Sequence, residues 1–365
     1  MKVSSIQLYR YELELVHPFQ THAGTVKKRE GILVEVMDME GRSGWGEGVA
    51  FSTPFYTGET VETSWTMLQE HFLPLLSANP VRHPSDIKDI LSVFQQNQMA
   101  KASLDMAYWD LYAKQQQLPL ASLIGGKREA IEVGVVLGLQ DDISLLQQYK
   151  HEGYQRFKLK VEKGKERERI HQAMEYVPVH QLMFDGNGAY GEEELEHLQG
   201  LDDLGLMMIE QPFPAGDFYL HARLQSKMET PICLDESITS YHDVRQAIAL
   251  NSCRIINVKI GRVGGISEAM LIYKLCASHR IPVWCGGMLE TGVSRAHNIA
   301  LASLDHFTIP GDISASKRYW HQDVITPEVE MRQGKVTVPT ESGIGHNVNK
   351  QYLQQRSTDI YSYII

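Results

Sequence analysis

The chain has 365 residues, 43% of them hydrophobic, enough to bury a large core in two structural units or in one large barrel with an appendage. Lys and Arg total 35 against 45 Asp and Glu, a net charge of −10, with no long cationic cluster of the kind a phosphate backbone attracts, so nucleic acid is not an expected partner. The opening stretch MKVSSIQLYRYELELVHPF alternates like a strand and carries charges throughout; it resembles neither a secretory signal nor a membrane span, and a cytoplasmic protein with no membrane partner is expected.

From 1 to about 125 the pattern is mixed. GILVEVMD alternates as a hairpin strand does, and KASLDMAYWDLYAKQQQ carries apolar residues at helical spacing, which predicts an α+β unit. From IEVGVVLGL onward, over 126–320, short apolar runs alternate with amphipathic segments, the pattern of parallel strands and crossover helices. IEVGVVLGL, RFKLKV, QLMFDG, LMMIEQ, PICLDE, RIINVK, PVWCGG and FTIPGD give eight strands, the number that closes a β/α barrel. SYHDVRQAIALN and GISEAMLIYKLCASH read as helices between them. The tail, 321–365, returns to strand and loop character and is assigned back to the first unit. Cys233, Cys253, Cys276 and Cys285 lie far apart among apolar neighbours, which predicts reduced, buried thiols and no disulfide framework or zinc site.

The chemistry lies in the spacing. Lys160, Asp185, Glu210, Asp235 and Lys259 end successive apolar runs, 25, 25, 25 and 24 positions apart. One strand, one helix and two loops fill such a period, so the five occupy equivalent places on neighbouring strands and face one mouth of the barrel. Charged residues at the carboxyl ends of barrel strands read as an active site. In RFKLK, Phe157 and Leu159 point to the surrounding helices while Lys158 and Lys160 point inward, where the three carboxylates balance them. Three carboxylates so close demand a cation. With no His or Cys at the equivalent positions, the all-oxygen set favours Mg²⁺, with Mn²⁺ as a substitute, and leaves open positions for water or a substrate carboxylate. For any single acid, capping of the next helix is the competing reading; three acids in register with matched lysines argue against it.

A lysine held among other cations loses some preference for its proton and moves toward use as a general base, an effect Lys158 exerts on Lys160. Lys259 and Lys160 come from strands across the barrel, so a substrate would have one lysine on each face. Arg262, three residues on, either tunes Lys259 or is a solvated loop charge.

The ordered set KLK, FDGN, IEQP, LDES and NVKIGRVGG resembles the enolase superfamily in its muconate-lactonising subgroup. The resemblance extends through GWGE, WDLYAKQQQ, WCGGMLETGVSRAHN and FTIPGDISAS, nearly the whole chain, and is nearest to the branch of o-succinylbenzoate synthases and N-succinylamino acid racemases. It implies a (β/α)7β-type modified TIM barrel with an N-terminal α+β capping domain completed by the C-terminal tail, and a homo-oligomer acting on a small carboxylate. It also implies Asp185, Glu210 and Asp235 as magnesium ligands, Lys160 and Lys259 as the acid/base pair and Lys158 as an electrostatic aid. The shared step is removal of a proton α to a carboxylate. The branch then either dehydrates 2-succinyl-6-hydroxy-2,4-cyclohexadiene-1-carboxylate to 2-succinylbenzoate, in menaquinone biosynthesis, or racemises N-succinylamino acids; dipeptide epimerase, muconate cycloisomerase and a non-catalytic binding barrel are weaker alternatives.

Other positions are expected nearby. Asn187 either orients a metal ligand or is a turn residue, and Glu236 points away if its strand persists. Gly287 and Met288 lie where barrels bind anions, with a tight turn as the alternative. HPFQTHAG and FSTPFYTGE resemble the two loops that close over the site in this superfamily, so Phe19, Phe51 and Tyr56 are expected to set substrate choice and exclude water, unless they are interface packing.

Overall fold

In the computed structural model, which describes residues 1–21 and 24–365 with the side chains at 19–21 and 24 outside that description, the chain begins as an antiparallel meander. Its strands are β1 (Val3–Thr21), β2 (Gly24–Asp38) and β3 (Ser43–Gly48). Asp38 makes the turn between β2 and β3 by accepting the backbone N–H groups of Glu40 and Arg42. The helix Gln98–Gln115 lies across β3, its second and third N–H groups, from Met99 and Ala100, each 2.8 Å from the Glu59 carboxylate. Gly46 permits this approach, since a Cβ there would collide with the carbonyl of Ser103. Gly46→Ala is therefore expected to destabilise the protein by about 1–3 kcal/mol, read as a lower urea midpoint; an unchanged midpoint would show that the helix and strand are not in tight contact.

Eight short strands follow: β4 (Ala130–Glu132), β5 (Val135–Leu137), β6 (Phe157–Lys160), β7 (Leu182–Asp185), β8 (Met208–Glu210), β9 (Ile232–Leu234), β10 (Ile255–Val258) and β11 (Val283–Cys285). β5 to β11 form one parallel sheet in sequence order. Period-two alternation builds two layers from it. Phe157, Leu159, Phe184, Ile209, Leu234, Ile256 and Val258 pack into the main core, whereas Met183, Met208, Cys233, Ile255 and Trp284, one from each of five strands, form a separate cluster. The helices Tyr241–Leu250 and Ile266–Ser278 stand where periodicity predicts them, the first capped by the Ser240 hydroxyl.

Two predicted strands differ. IEVGVVLGL divides into β4 and β5 around Gly134, where a side chain would strike the Arg156 guanidinium. FTIPGD is not a regular strand; it closes the barrel through single bridges, Phe307 to Val283 and Gly311 to Val133. Asp312 N–H donates to the Cys285 carbonyl at 3.0 Å and Gly134 N–H to that of Gly311 at 2.8 Å. Pro310 has no N–H to give a ladder, which accounts for the interruption.

The last strands are β12 (Ile325–Thr326), β13 (Lys335–Thr337), β14 (Asn347–Val348) and β15 (Ser357–Ile364). β12 pairs with β14, β13 with β4 at the start of the barrel, and β15 with β1 at the edge of the meander. All four cysteines are free and buried. Among the described residues no helix is long and apolar enough to cross a membrane.

Candidate active site

The 25-residue spacing becomes a row in the sheet. Lys160 sits beside Asp185 in the β6–β7 ladder, and Asp185 beside Glu210 in the β7–β8 ladder. Glu210 is level with Cys233, so Asp235 stands two residues higher on the same face, just past β9.

Each carboxylate is engaged by a cation. Lys160 Nζ donates to Asp185 Oδ2 at 2.8 Å and to Asn187 Oδ1. Lys158 lies deeper, 3.1 Å from Glu210 Oε2, 3.6 Å from Asp185 Oδ2 and 2.8 Å from Asp312 Oδ2, with its ammonium 5.2 Å from the centre of the Trp284 ring. Lys259, the residue just past β10 and four strands from β6, donates to Asp235 Oδ2 at 2.8 Å and to the Tyr56 hydroxyl at 3.0 Å. Arg262 is buried, not a solvated loop charge: it bonds Asp235 Oδ1, the Tyr56 hydroxyl at 3.0 Å and the carbonyls of Ile238 and Asn257. It thus shares both partners of Lys259.

The charges of Lys158 and Lys259 are set by their acidic and hydroxyl neighbours. Burial alone pulls the Lys158 ammonium down, but Asp312, Glu210 and Asp185 outweigh it and hold Lys158 above the ordinary lysine range. Lys259 is likewise raised: burial opposes, and Tyr56, Glu236 and Glu210 prevail. Neighbouring cations do not depress these two groups because the carboxylates stand closer. Burial pushes Asp185 up, yet Lys160 and Lys158 bring its carboxyl below the usual range.

For Glu236 the structure decides the condition the sequence left open. β9 ends at Leu234, so alternation stops before Glu236 and the turn brings it to the same mouth. There its Oε1 accepts from Asn187 Nδ2 at 3.1 Å, and burial followed by the charge of Asp185 raises its carboxyl above the usual range. Asn187, at a left-handed φ of 45°, ties Lys160, Asp185 and Glu236 together.

Asp185, Glu210 and Asp235 offer hard oxygen donors from three consecutive strands, and Glu236 Oε2 is buried with no hydrogen-bond partner among the described residues. That donor chemistry fits a hard divalent cation. Among the described residues, however, no three His, Cys, Asp or Glu side chains are drawn into one cluster; the lysines and Arg262 supply the balancing charge instead.

The wall beside Lys259 comes from two loops. Val49, Ala50 and Met99 form a small apolar cluster against which Tyr56 and Met288 pack, and the Phe51 and Tyr56 rings meet edge-on at 6.3 Å. Gly287 lies so close to the last barrel segment that a Cβ would strike the Asp312 carbonyl. The side chain of Phe19 lies outside the described residues. Sequence reasoning missed Asn257, whose Nδ2 donates to Glu210 Oε1 at 2.8 Å, and the Arg156–Asp312 pair beneath Lys158. The signal was present: Asn257 is two residues before Lys259 and Arg156 two before Lys158, so each shares the inward face of its strand.

Comparison with known proteins follows this geometry. An "Enolase C-terminal domain-like" family model matches residues 142–352, and that of the mandelate racemase / muconate lactonizing enzyme N-terminal domain matches residues 5–125. The o-succinylbenzoate synthase of Geobacillus kaustophilus is 49% identical over 359 residues, 97% of this chain and 96% of that protein. An N-succinylamino acid racemase of Thermus thermophilus is 40% identical over 359 residues, 97% of each chain. A solved structure of an enolase superfamily member from Listeria innocua matches with a TM-score of 0.96 at 43% identity, covering 100% of this chain and 99% of that one.

Proposed function

Since the chain belongs to the mandelate racemase / muconate lactonizing enzyme family of the enolase superfamily, we propose that it is a lyase that dehydrates 2-succinyl-6-hydroxy-2,4-cyclohexadiene-1-carboxylate to 2-succinylbenzoate, the o-succinylbenzoate synthase step of menaquinone biosynthesis. The observation that carries this reading is the row Lys160, Asp185, Glu210, with Lys158 buried beneath it and Lys259 on the opposite side of the barrel.

Lys160 is the base. It is the more exposed of the lysines, its side chain 32% accessible, and Asn187 and Asp185 aim its amine across the mouth. It removes the proton α to the substrate carboxylate and leaves an enediolate. Asp185, Glu210 and Asp235 would hold a hard divalent ion, Mg²⁺ with Mn²⁺ as a substitute, whose charge stabilises the second negative charge as it develops on the carboxylate. Lys158 remains an ammonium, held so by Asp312, Glu210 and Asp185, and adds a fixed positive charge. In a syn elimination the leaving hydroxyl departs from the face that lost the proton, so Lys160 returns that proton to it and water is released as the ring becomes aromatic.

Racemisation of N-succinylamino acids is the second reading, favoured by Lys259. Its carboxylate and hydroxyl partners keep it protonated, which suits delivery of a proton to the opposite face. A dipeptide epimerase reading is weaker because the last barrel segment, GDISAS, carries Asp312 and Ser314 where such epimerases use an Asp-x-Asp pair to hold the substrate amine. A silent binding barrel would gain nothing from so many buried charges.

The test is to compare turnover of the cyclohexadiene carboxylate with racemisation of several N-succinylamino acids under one set of conditions; absence of both activities rejects the proposal. Lys259→Ala is expected to lower racemisation by about 10³-fold or more with a smaller loss in dehydration. Equal losses in the two assays would reject this division between the lysines.

A further inference from the structure

Arg29 is outside the machinery described so far, yet it joins the two loops beside Lys259. It stands on β2 and is 1% exposed. Its Nε donates to the Leu289 carbonyl at 2.6 Å, and its Nη1 to the Ala50 carbonyl at 2.7 Å and to that of Glu30. Leu289 follows Met288, and Ala50 precedes Phe51. The guanidinium also lies over the Phe51 ring, 4.8 Å from its centre, and Phe51 meets Tyr56, whose hydroxyl accepts from Lys259. The barrel loop is pinned a second time, where Glu47 accepts the Thr291 N–H at 3.0 Å and hydroxyl at 2.7 Å. Nη2 of Arg29 is buried without a partner among the described residues. A buried donor left unpaired costs stability, so stability alone does not account for a guanidinium here. What its planar fork provides is simultaneous hold on two carbonyls from separate loops, which a lysine cannot reproduce.

We infer that Arg29 is a positioning residue: by clamping the Ala50 and Leu289 carbonyls and supporting Phe51, it sets Tyr56 against Lys259 and so governs proton transfer on the Lys259 face of the substrate. The inference rests on the proposed role of Lys259 and goes further by naming what controls it. Among the described residues no comparable chain of contacts runs from Arg29 to Lys160, which donates to Asp185 and Asn187.

The two faces can be read separately. Each enantiomer of an N-succinylamino acid presents its α-hydrogen to one lysine, so exchange with deuterium from solvent, followed by NMR with Mg²⁺ present, reports one lysine at a time. Lys160→Ala and Lys259→Ala identify which enantiomer belongs to which. In Arg29→Met, exchange of the enantiomer served by Lys259 should fall about a hundredfold, the effect of misplacing a reacting group by about 1 Å, while exchange of the other stays near that of the parent. Arg29→Lys should give the same asymmetry, and it carries the test if Arg29→Met does not fold. Equal loss on both enantiomers, or no loss on either, overturns the inference. A parent enzyme that exchanges neither enantiomer and fails to dehydrate the cyclohexadiene carboxylate would remove the proposed function itself, and this inference with it.

Discussion

Lys160→Ala is expected to lose dehydration by about 10⁴-fold, the upper range for removal of a positioned acid/base group, while divalent metal binding is retained. The reason lies in which contacts the amine makes. Lys160 Nζ is bonded to Asp185 Oδ2 and Asn187 Oδ1, and none of the other carboxylates depends on it. Truncation removes an ammonium that competes with a metal ion for Asp185, and Lys158, 3.6 Å from the same oxygen, stays in place. Metal affinity should therefore hold or tighten as turnover collapses. A Mn²⁺ titration followed by EPR, run beside the dehydration assay, separates the two quantities. Turnover near that of the parent would reject Lys160 as the base.

Asp235→Asn has the second large effect, on metal affinity. Residues that merely orient ligands cost 10–100-fold when replaced, so loss of a ligand itself should weaken Mn²⁺ binding by about 100-fold or more. Dehydration should fall with it and recover in part at high metal concentration. Asp235 also stands between two cations, Lys259 at 2.8 Å and Arg262. An amide cannot balance both, so the variant should also be less stable. A variant that binds Mn²⁺ as tightly as the parent would contradict the ligand role, even if its activity were low.

The repeat of charged strand ends was legible because a βα unit has a nearly constant length. Residues one unit apart fall into one row, and Lys160, Asp185 and Glu210 do so to the residue. The inward aim of Lys158 and Lys160 followed from alternation alone, as did the packing of Phe157 and Leu159 into the core. The aim of Glu236 stayed open in the sequence because alternation holds only while the strand lasts, and nothing local marks the end of β9 at Leu234. The eighth strand was counted as regular although Pro310 within it cannot donate to a ladder. The upward shift of Lys259 was not legible for another reason: it is set by Tyr56, Glu236 and Glu210, and Tyr56 is 203 residues away along the chain.

Periodicity, spacing and residue type were sufficient by themselves for the parallel barrel and the five charged strand ends, because each of these depends on distances along one strand or one repeating unit. Only the tertiary structure decided that Arg262 and Tyr56 converge on Lys259, that Asp312 lies under Lys158, and that Arg29 reaches Leu289 across 260 positions. Those contacts join segments whose separation in sequence carries no period, so they are fixed by closure of the barrel, for Asp312, and by the packing of the N-terminal unit on it, for Tyr56 and Arg29.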